Sequence, residues 1–275
     1  MQNLDIDLTL TKALFVSVQD DPYVIIEISD EAALELRRIL PTPFRQLYVS
    51  DDELDRVHLS SQIPKNELVR LKLPDPGSTM SGDFGEMLTA VMQGALAHPL
   101  EVIDPKKWRY KQDRIAPAPK SDVVQFILPA WPDSSDQDRL ICSEVKAKAL
   151  KGTSNPVTSA IEHSKKDQDG RLALTLSWLR ERAIFHEENE MALQLSRFIK
   201  ADSHPEAAYE YRAVAVISAD LVPDETSAIT KEIIGDAVLI VVSVPNMKKT
   251  YSEVFDAIAE TVAPVSGDTL EKSVV

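Results

Sequence analysis

The run Leu140-Ile141-Cys142-Ser143-Glu144-Val145-Lys146-Ala147-Lys148 begins apolar and ends by alternating charged with small apolar residues. In a β-strand alternate side chains share a face, so Glu144, Lys146 and Lys148 point one way while Val145 and Ala147 point the other. A carboxylate beside an ammonium can hold a cation and steady a water or a developing negative charge. A solvated, charged edge strand has the same pattern, and the rest of the chain must decide between the two. Asp122 opens a second strand-like run, SDVVQFIL, with 21 residues between it and Glu144. The polar segment PAWPDSSDQDR reads as a hairpin loop that sets the two carboxylates on neighbouring strands. Two carboxylates completed by water are the usual way to hold Mg²⁺, with Mn²⁺ as the alternative ion.

Charge is distributed unevenly. The chain carries 30 Lys/Arg against 44 Asp/Glu, a net −14, which argues against nucleic acid as a partner of the chain as a whole. Residues 106–171 nevertheless carry 13 Lys/Arg against 9 Asp/Glu, whereas 1–105 carry 8 against 18 and 172–275 carry 9 against 17. The one basic segment is the one that holds Glu144-Val145-Lys146. Within it KKWRYKQDR interleaves five cations with Trp108 and Tyr110, a composition suited to phosphates and stacked bases. Lys107, Trp108, Arg109 and Lys111, with Lys148 on the later strand, are therefore candidate DNA contacts; a solvated loop or strand is the plainer reading. Other chemistries find little support. His186-Glu187-Glu188 lacks the second histidine of a zinc protease, GSTMSGDFG lacks the Lys-Ser/Thr of a phosphate loop, and no Gly-x-Ser-x-Gly elbow occurs. The single cysteine, Cys142, excludes an internal disulfide and reads as a small core residue. No apolar run approaches the length of a membrane helix and the N-terminus has no basic n-region, so a cytoplasmic protein with no membrane partner is expected.

These residues must be positioned by an α/β framework. Residues 1–75 read as a small α+β layer, with strands at LFVSVQ and YVIIEIS and a helix at DEAALELRRIL. The turn-rich LPDPGSTMSG marks a boundary, leaving 76–265 as the main domain and 266–275 as a disordered tail. GDFGEMLTAVMQGAL reads as a helix capped by Asp83, with Glu86 as the capping-box partner. KWRYK, SDVVQFIL and LICSEVKAK read as strands. A helix follows, capped by Asn155 or Ser154 with Pro156 in its first turn, then a long helical stretch over 171–200, broken near 185–189. YRAVAVIS and DAVLIVVSV have the continuous apolar character of strands buried on both faces, and YSEVFDAIAETV closes as an amphipathic helix.

Glu86 in a leading helix, Asp122 after a turn, and Glu144-Val145-Lys146 on the next strand resemble the PD-(D/E)xK nuclease core. Ser121 stands where that pattern has its proline, and His163 or Lys165 is offered as a further polar group from the following helix. GDFGEMLTAVM, KWRYK, SDVVQF and ICSEVKAK together resemble the HamA family of effectors in Hachiman antiphage systems, to which an abortive-infection protein paired with a helicase is related. The resemblance covers 80–170 well, the remaining C-terminal part loosely and the first 75 residues hardly at all. It implies a restriction-endonuclease-like α/β fold and a Mg²⁺-dependent, sequence-nonspecific DNase, with Asp122 and Glu144 as metal ligands, Lys146 at the water and phosphate, and Glu86 completing the acidic cluster. It also implies a HamB-like helicase that restrains and then activates the nuclease. The acidic N-terminal layer is the expected docking surface. The competing reading is a non-catalytic DNA-binding or docking subunit of a helicase complex.

Overall fold

A computed structural model describes residues 4–235 and 237–262. The expected tail lies outside them. After a short helix α1 (Leu8–Lys12), β-branched and aromatic residues form the hairpin β1 (Val16–Gln19) and β2 (Val24–Glu27). Ser29 caps α2 (Asp30–Ile39), its hydroxyl accepting the Ala32 N–H, and the charges follow the helix dipole: Asp30 and Glu31 in the first turn, Arg37 and Arg38 in the last. Residues 41–70 fold into three helices for which the sequence pattern gives no clear signal: α3 (Pro41–Tyr48), α4 (Asp51–Ser61) and α5 (Lys65–Arg70). α3 is buried over most of its circumference, Arg45 and Gln46 included.

α6 (Ser78–Ala97) follows, then β3 (Val123–Ile127), β4 (Arg139–Lys148) and α7 (Pro156–Lys166), the last capped by Asn155. α8 (Leu172–Phe185) and α9 (Asn189–Ile199) form an antiparallel helical pair, broken at 186–188 as the pattern predicts. β5 (Ala208–Ser218), α10 (Val222–Thr226), α11 (Lys231–Ile234), β6 (Val238–Val244) and α12 (Met247–Ile258) complete the chain.

The six strands form one mixed sheet in the order β1-β2-β6-β5-β4-β3, with β2, β6, β5 and β4 mutually parallel and an antiparallel hairpin at each edge. Ala213, Ala215 and Ile217 of β5 pack under α7, while Val214 and Val216 face α6 and α12, which explains why this strand is apolar throughout. α8 and α9 cover Val124, Phe126, Leu140 and Cys142. Helices on both faces of a six-stranded mixed sheet give the α/β, nuclease-like class that the sequence predicts.

Three local expectations differ. KWRYK is a 3₁₀ turn, Lys107–Tyr110, and no strand, because Lys107, Trp108 and Tyr110 all turn inward and cannot alternate; Asp104 starts the turn by accepting the Lys106 N–H at 2.7 Å. The helix containing Asp83 starts five residues earlier, at Ser78. Asp83 is therefore an interior residue and caps nothing: it accepts from Tyr48 Oη at 2.5 Å and from Lys111 Nζ at 2.7 Å. Residues 1–75 form no core of their own, since β2 pairs with β6 and Phe44, Leu47 and Tyr48 share one apolar cluster with Phe84, Tyr251 and Phe255.

Candidate active site

β3 and β4 pair antiparallel with Val123 opposite Ser143, which sets Asp122 across from Glu144. Asp122 Oδ2 accepts the Val145 N–H at 2.9 Å and lies 3.6 Å from Lys146 Nζ. Lys146 also hydrogen-bonds Glu144 Oε1. α6 brings the third carboxylate by a close approach at Gly85: a Cβ there would lie 3.2 Å from Ala147 Cβ and 3.5 Å from Val145 Cγ1. A methyl there would be tighter than an ordinary contact, and the next residue, Glu86, is held by this close approach at the end of the hairpin. The structure thus brings together all four expected site residues, Glu86, Asp122, Glu144 and Lys146.

Further groups join them that the sequence reading did not place here. Lys107 Nζ lies 3.0 Å from Glu86 Oε2 and donates to the Ser121 carbonyl at 2.9 Å; Trp108 Nε1 donates to the same Glu86 oxygen at 3.2 Å. Arg171 hydrogen-bonds Glu144 Oε2 through Nη2 and Asp167 through Nε and Nη2, both at 2.7 Å. Asp167 is fixed in turn by the Ser121 hydroxyl at 2.6 Å. His163 Nδ1 lies 3.3 Å from Glu144 Oε1, whereas Lys165, the other candidate from α7, is exposed and remote from these bonds. No local spacing marks Arg171 or Asp167; the one sequence sign is Gly170, which takes φ +119° in the kink Asp167–Arg171 between α7 and α8.

The electrostatics follow from packing three acids into one buried place. Burial, aided by Asp122 and Asp83 and opposed by Lys107, pushes the Glu86 carboxyl up to about 8. Burial also raises Asp122, with Lys107 opposing and the Glu144 charge adding. Burial works against the Lys107 ammonium, yet Glu86 and Asp122 hold it above its ordinary value, and Asp122 and Glu144 do the same for Lys146. The lysines stay charged, and Glu86 carries a proton near neutral pH.

A divalent cation would relieve this crowding. The donors are oxygen-only and hard, as Mg²⁺ requires, and among the described hydrogen bonds Asp122 Oδ1 and Glu86 Oε1 accept none. On donor chemistry the residues fit the ion. They form no preformed cage: among the described residues no three His, Cys, Asp or Glu side chains are grouped to hold a metal, because Lys107, Lys146 and Arg171 already occupy oxygens of the three acids.

The five candidate DNA contacts are all engaged internally. Lys107 and Trp108 are buried against Glu86. Arg109 donates to the Gln46 carbonyl at 2.7 Å and faces Glu188 at 3.8 Å. Lys111 is buried on Asp83, and Lys148 holds Glu225 and the carbonyls of Gly152 and Ser154. The acidic flanks thus supply the counter-ions of the basic segment, and KKWRYK is an interior feature. Lys120, Lys151, Lys165 and Lys166 are exposed with no ion pair among the described residues.

Among the described residues no helix is long and apolar enough to cross a membrane. A search of curated proteins finds no match to the chain. The sequence profile of the HamA family matches residues 12–258, a span that takes in all six strands and every residue of the acidic cluster. The chain therefore belongs to the HamA family and is an antiphage defence protein.

Proposed function

We propose that this protein is a Mg²⁺-dependent, sequence-nonspecific DNA nuclease, with a HamB-like helicase as the partner that restrains and activates it. The observation that carries the reading is the junction of Asp122 with Glu144-Val145-Lys146, where one carboxylate caps the Val145 N–H at 2.9 Å and stands 3.6 Å from Lys146 Nζ. Asp122 and Glu144 would hold the cation, joined by the Val145 carbonyl. When bound, the ion supplies Lewis acidity and a lowered water pKa at the scissile phosphate. Lys146, with 28% of its side chain exposed against 2% for Glu144, is the group that reaches outward. It orients the attacking water and stabilises charge on the phosphoryl oxygens. Glu86 completes the acidic cluster beside Lys107. The exposed Lys120, Lys165 and Lys166, near Asp122 and the end of α7, take the DNA backbone.

The test is plasmid degradation in Mg²⁺ and in EDTA by the wild type, Lys146→Ala, and Lys248→Ala, an exposed lysine remote from the cluster. Mg²⁺-dependent cutting lost only with Lys146 establishes the site. The second reading, a non-catalytic subunit, draws on the ion pairs that Lys107, Lys146 and Arg171 already make with the three carboxylates. It requires that Glu144→Ala/Lys146→Ala leave both helicase binding and defence intact. Docking through the N-terminal acids is tested by reversing Asp51, Asp52 and Asp55 on α4, not by deletion, because residues 1–75 build the shared core.

A further inference from the structure

The cations facing the acidic cluster differ in how firmly they are fixed. Lys107 is buried and tied to Glu86 and to the Ser121 carbonyl. Lys146 is carried by β4 in the interior of the sheet order. Arg171 instead ends the kink between α7 and α8 whose Gly170 sits at φ +119°, a quarter of its side chain is exposed, and it has two acids to choose between. It holds Glu144 Oε2 and, at 2.7 Å through each of Nε and Nη2, Asp167, while Nη2 also donates to the His163 carbonyl at 3.0 Å. Asp167 is 1% exposed and anchored by Ser121, the residue beside Asp122. If Arg171 gives up Glu144, two of its partners remain and neither charge is left bare.

We propose that Arg171 is a positioning residue that sets the protein's affinity for its divalent cation: it occupies Glu144 Oε2 and must withdraw onto Asp167 for Glu144 to become a ligand. This rests on the metal-dependent reading of the site and deepens it. Two positive charges, the guanidinium and the metal ion, compete for one carboxylate oxygen, so removing the guanidinium charge tightens cation binding, and weakening its alternative anchor loosens it. Lys146, which also faces Glu144, bonds neither side chain that is changed, and His163 meets Arg171 only through its backbone carbonyl.

The experiment is a Mn²⁺ titration followed by electron paramagnetic resonance on the full-length chain, with plasmid cleavage in Mg²⁺, with and without the helicase, measured in parallel. Arg171→Gln is expected to bind Mn²⁺ about tenfold more tightly than the wild type, a factor equivalent to one pKa unit of charge interaction. Arg171→Lys restores the charge and returns the affinity towards the wild-type value. Asp167→Asn binds more weakly than the wild type, and it keeps the proposal testable should Arg171→Gln not fold. The proposal is overturned if Arg171→Gln binds equally or more weakly, or if Arg171→Lys behaves like Arg171→Gln, since a purely structural arginine would give that result. If these outcomes come with intact Mg²⁺-dependent cleavage, only the role of Arg171 falls. If no variant binds Mn²⁺ and the wild type cuts nothing with or without the helicase, the nuclease reading falls with it.

Discussion

Two buried ionic sites in this chain use the same residue types to opposite ends. At Asp138–Arg197 one acid meets one base: Arg197 Nε donates to Asp138 Oδ2 at 2.5 Å, its Nη2 donates to the carbonyls of Ser135 and Pro205, and both side chains are at most 2% exposed. This pair pins the β3–β4 loop to α9 and the entry to β5. At the β3–β4 edge three acids share three cations, the six groups coming from five separate segments, each acid has a neighbour of the same sign, and two of the acids are pushed towards the neutral form. The first arrangement has one low-energy state. The second has redundant partners, so its members can be exchanged, and exchange is what binding a metal or a phosphate demands.

The comparison would be broken most directly by Lys146→Ala, which is expected to lower Mg²⁺-dependent cleavage by about 10²–10³-fold while the thermal unfolding midpoint stays close to wild type. A large loss of stability instead would make the edge cluster a structural clamp like the other. Next in size, Arg197→Met leaves Asp138 buried without its cation and should cost about 3–5 kcal/mol in chemical denaturation. Glu144→Gln should cost well under half of that, because Lys146 keeps Asp122 and Arg171 keeps Asp167. Gly85→Ala pushes a methyl against Ala147 and should cost about 1–3 kcal/mol by overpacking, with cleavage falling because Glu86 shifts. The proton on Glu86 gives a smaller, pH-resolved effect. Its folded value, about 8, lies above its unfolded one, so in EDTA the folded chain holds a proton the unfolded chain has lost. Stability should fall as pH rises through the ordinary glutamate range up to about 8, by roughly 1 kcal/mol per pH unit at most. Above that the contribution is flat, and Glu86→Gln should remove the slope. The smallest effect is at Lys165→Glu/Lys166→Glu: DNA binding should weaken and its salt dependence become shallower, by about one to two in the log–log slope.

The parts of this structure that could be read in advance are those where a local rule coincides with the tertiary one. Asp122 and Glu144-Val145-Lys146 were legible because alternation in a strand and hairpin pairing are short-range geometry. Asn155 with Pro156, and the α8–α9 break, followed from capping and from the apolar period. The basic run KKWRYK misled for the opposite reason: composition reports charge and not its neighbours, and the acids that neutralise it, Asp83, Glu86 and Glu188, lie about twenty residues before it or some eighty after it. Asp83 looked like a cap because it precedes an apolar run, but Tyr48 and Lys111 compete for it from distant helices and turns. Residues 41–70 stayed opaque because Pro41 and Pro43 look like breakers although they sit in the first turn of α3, and α4 buries only Leu54. The boundary near 75 is a real turn in the chain, yet it divides no core, because β2, paired with β1 on one side, finds its other partner in β6.

That pairing also orders events during synthesis. β6 is the last strand to leave the ribosome, and it lies between β2, made among the first thirty residues, and β5. Until β6 emerges, the hairpin at one end of the sheet has nothing to pair with, and α12, which closes the face over α6, does not yet exist. The strands of highest sequence separation therefore join last. A prematurely terminated chain would carry Glu86, Asp122, Glu144 and Lys146 without the layer that presses α6 onto β4. On the nuclease reading proposed above, this topology restricts a working cleavage centre to chains in which β6 and α12 have been made.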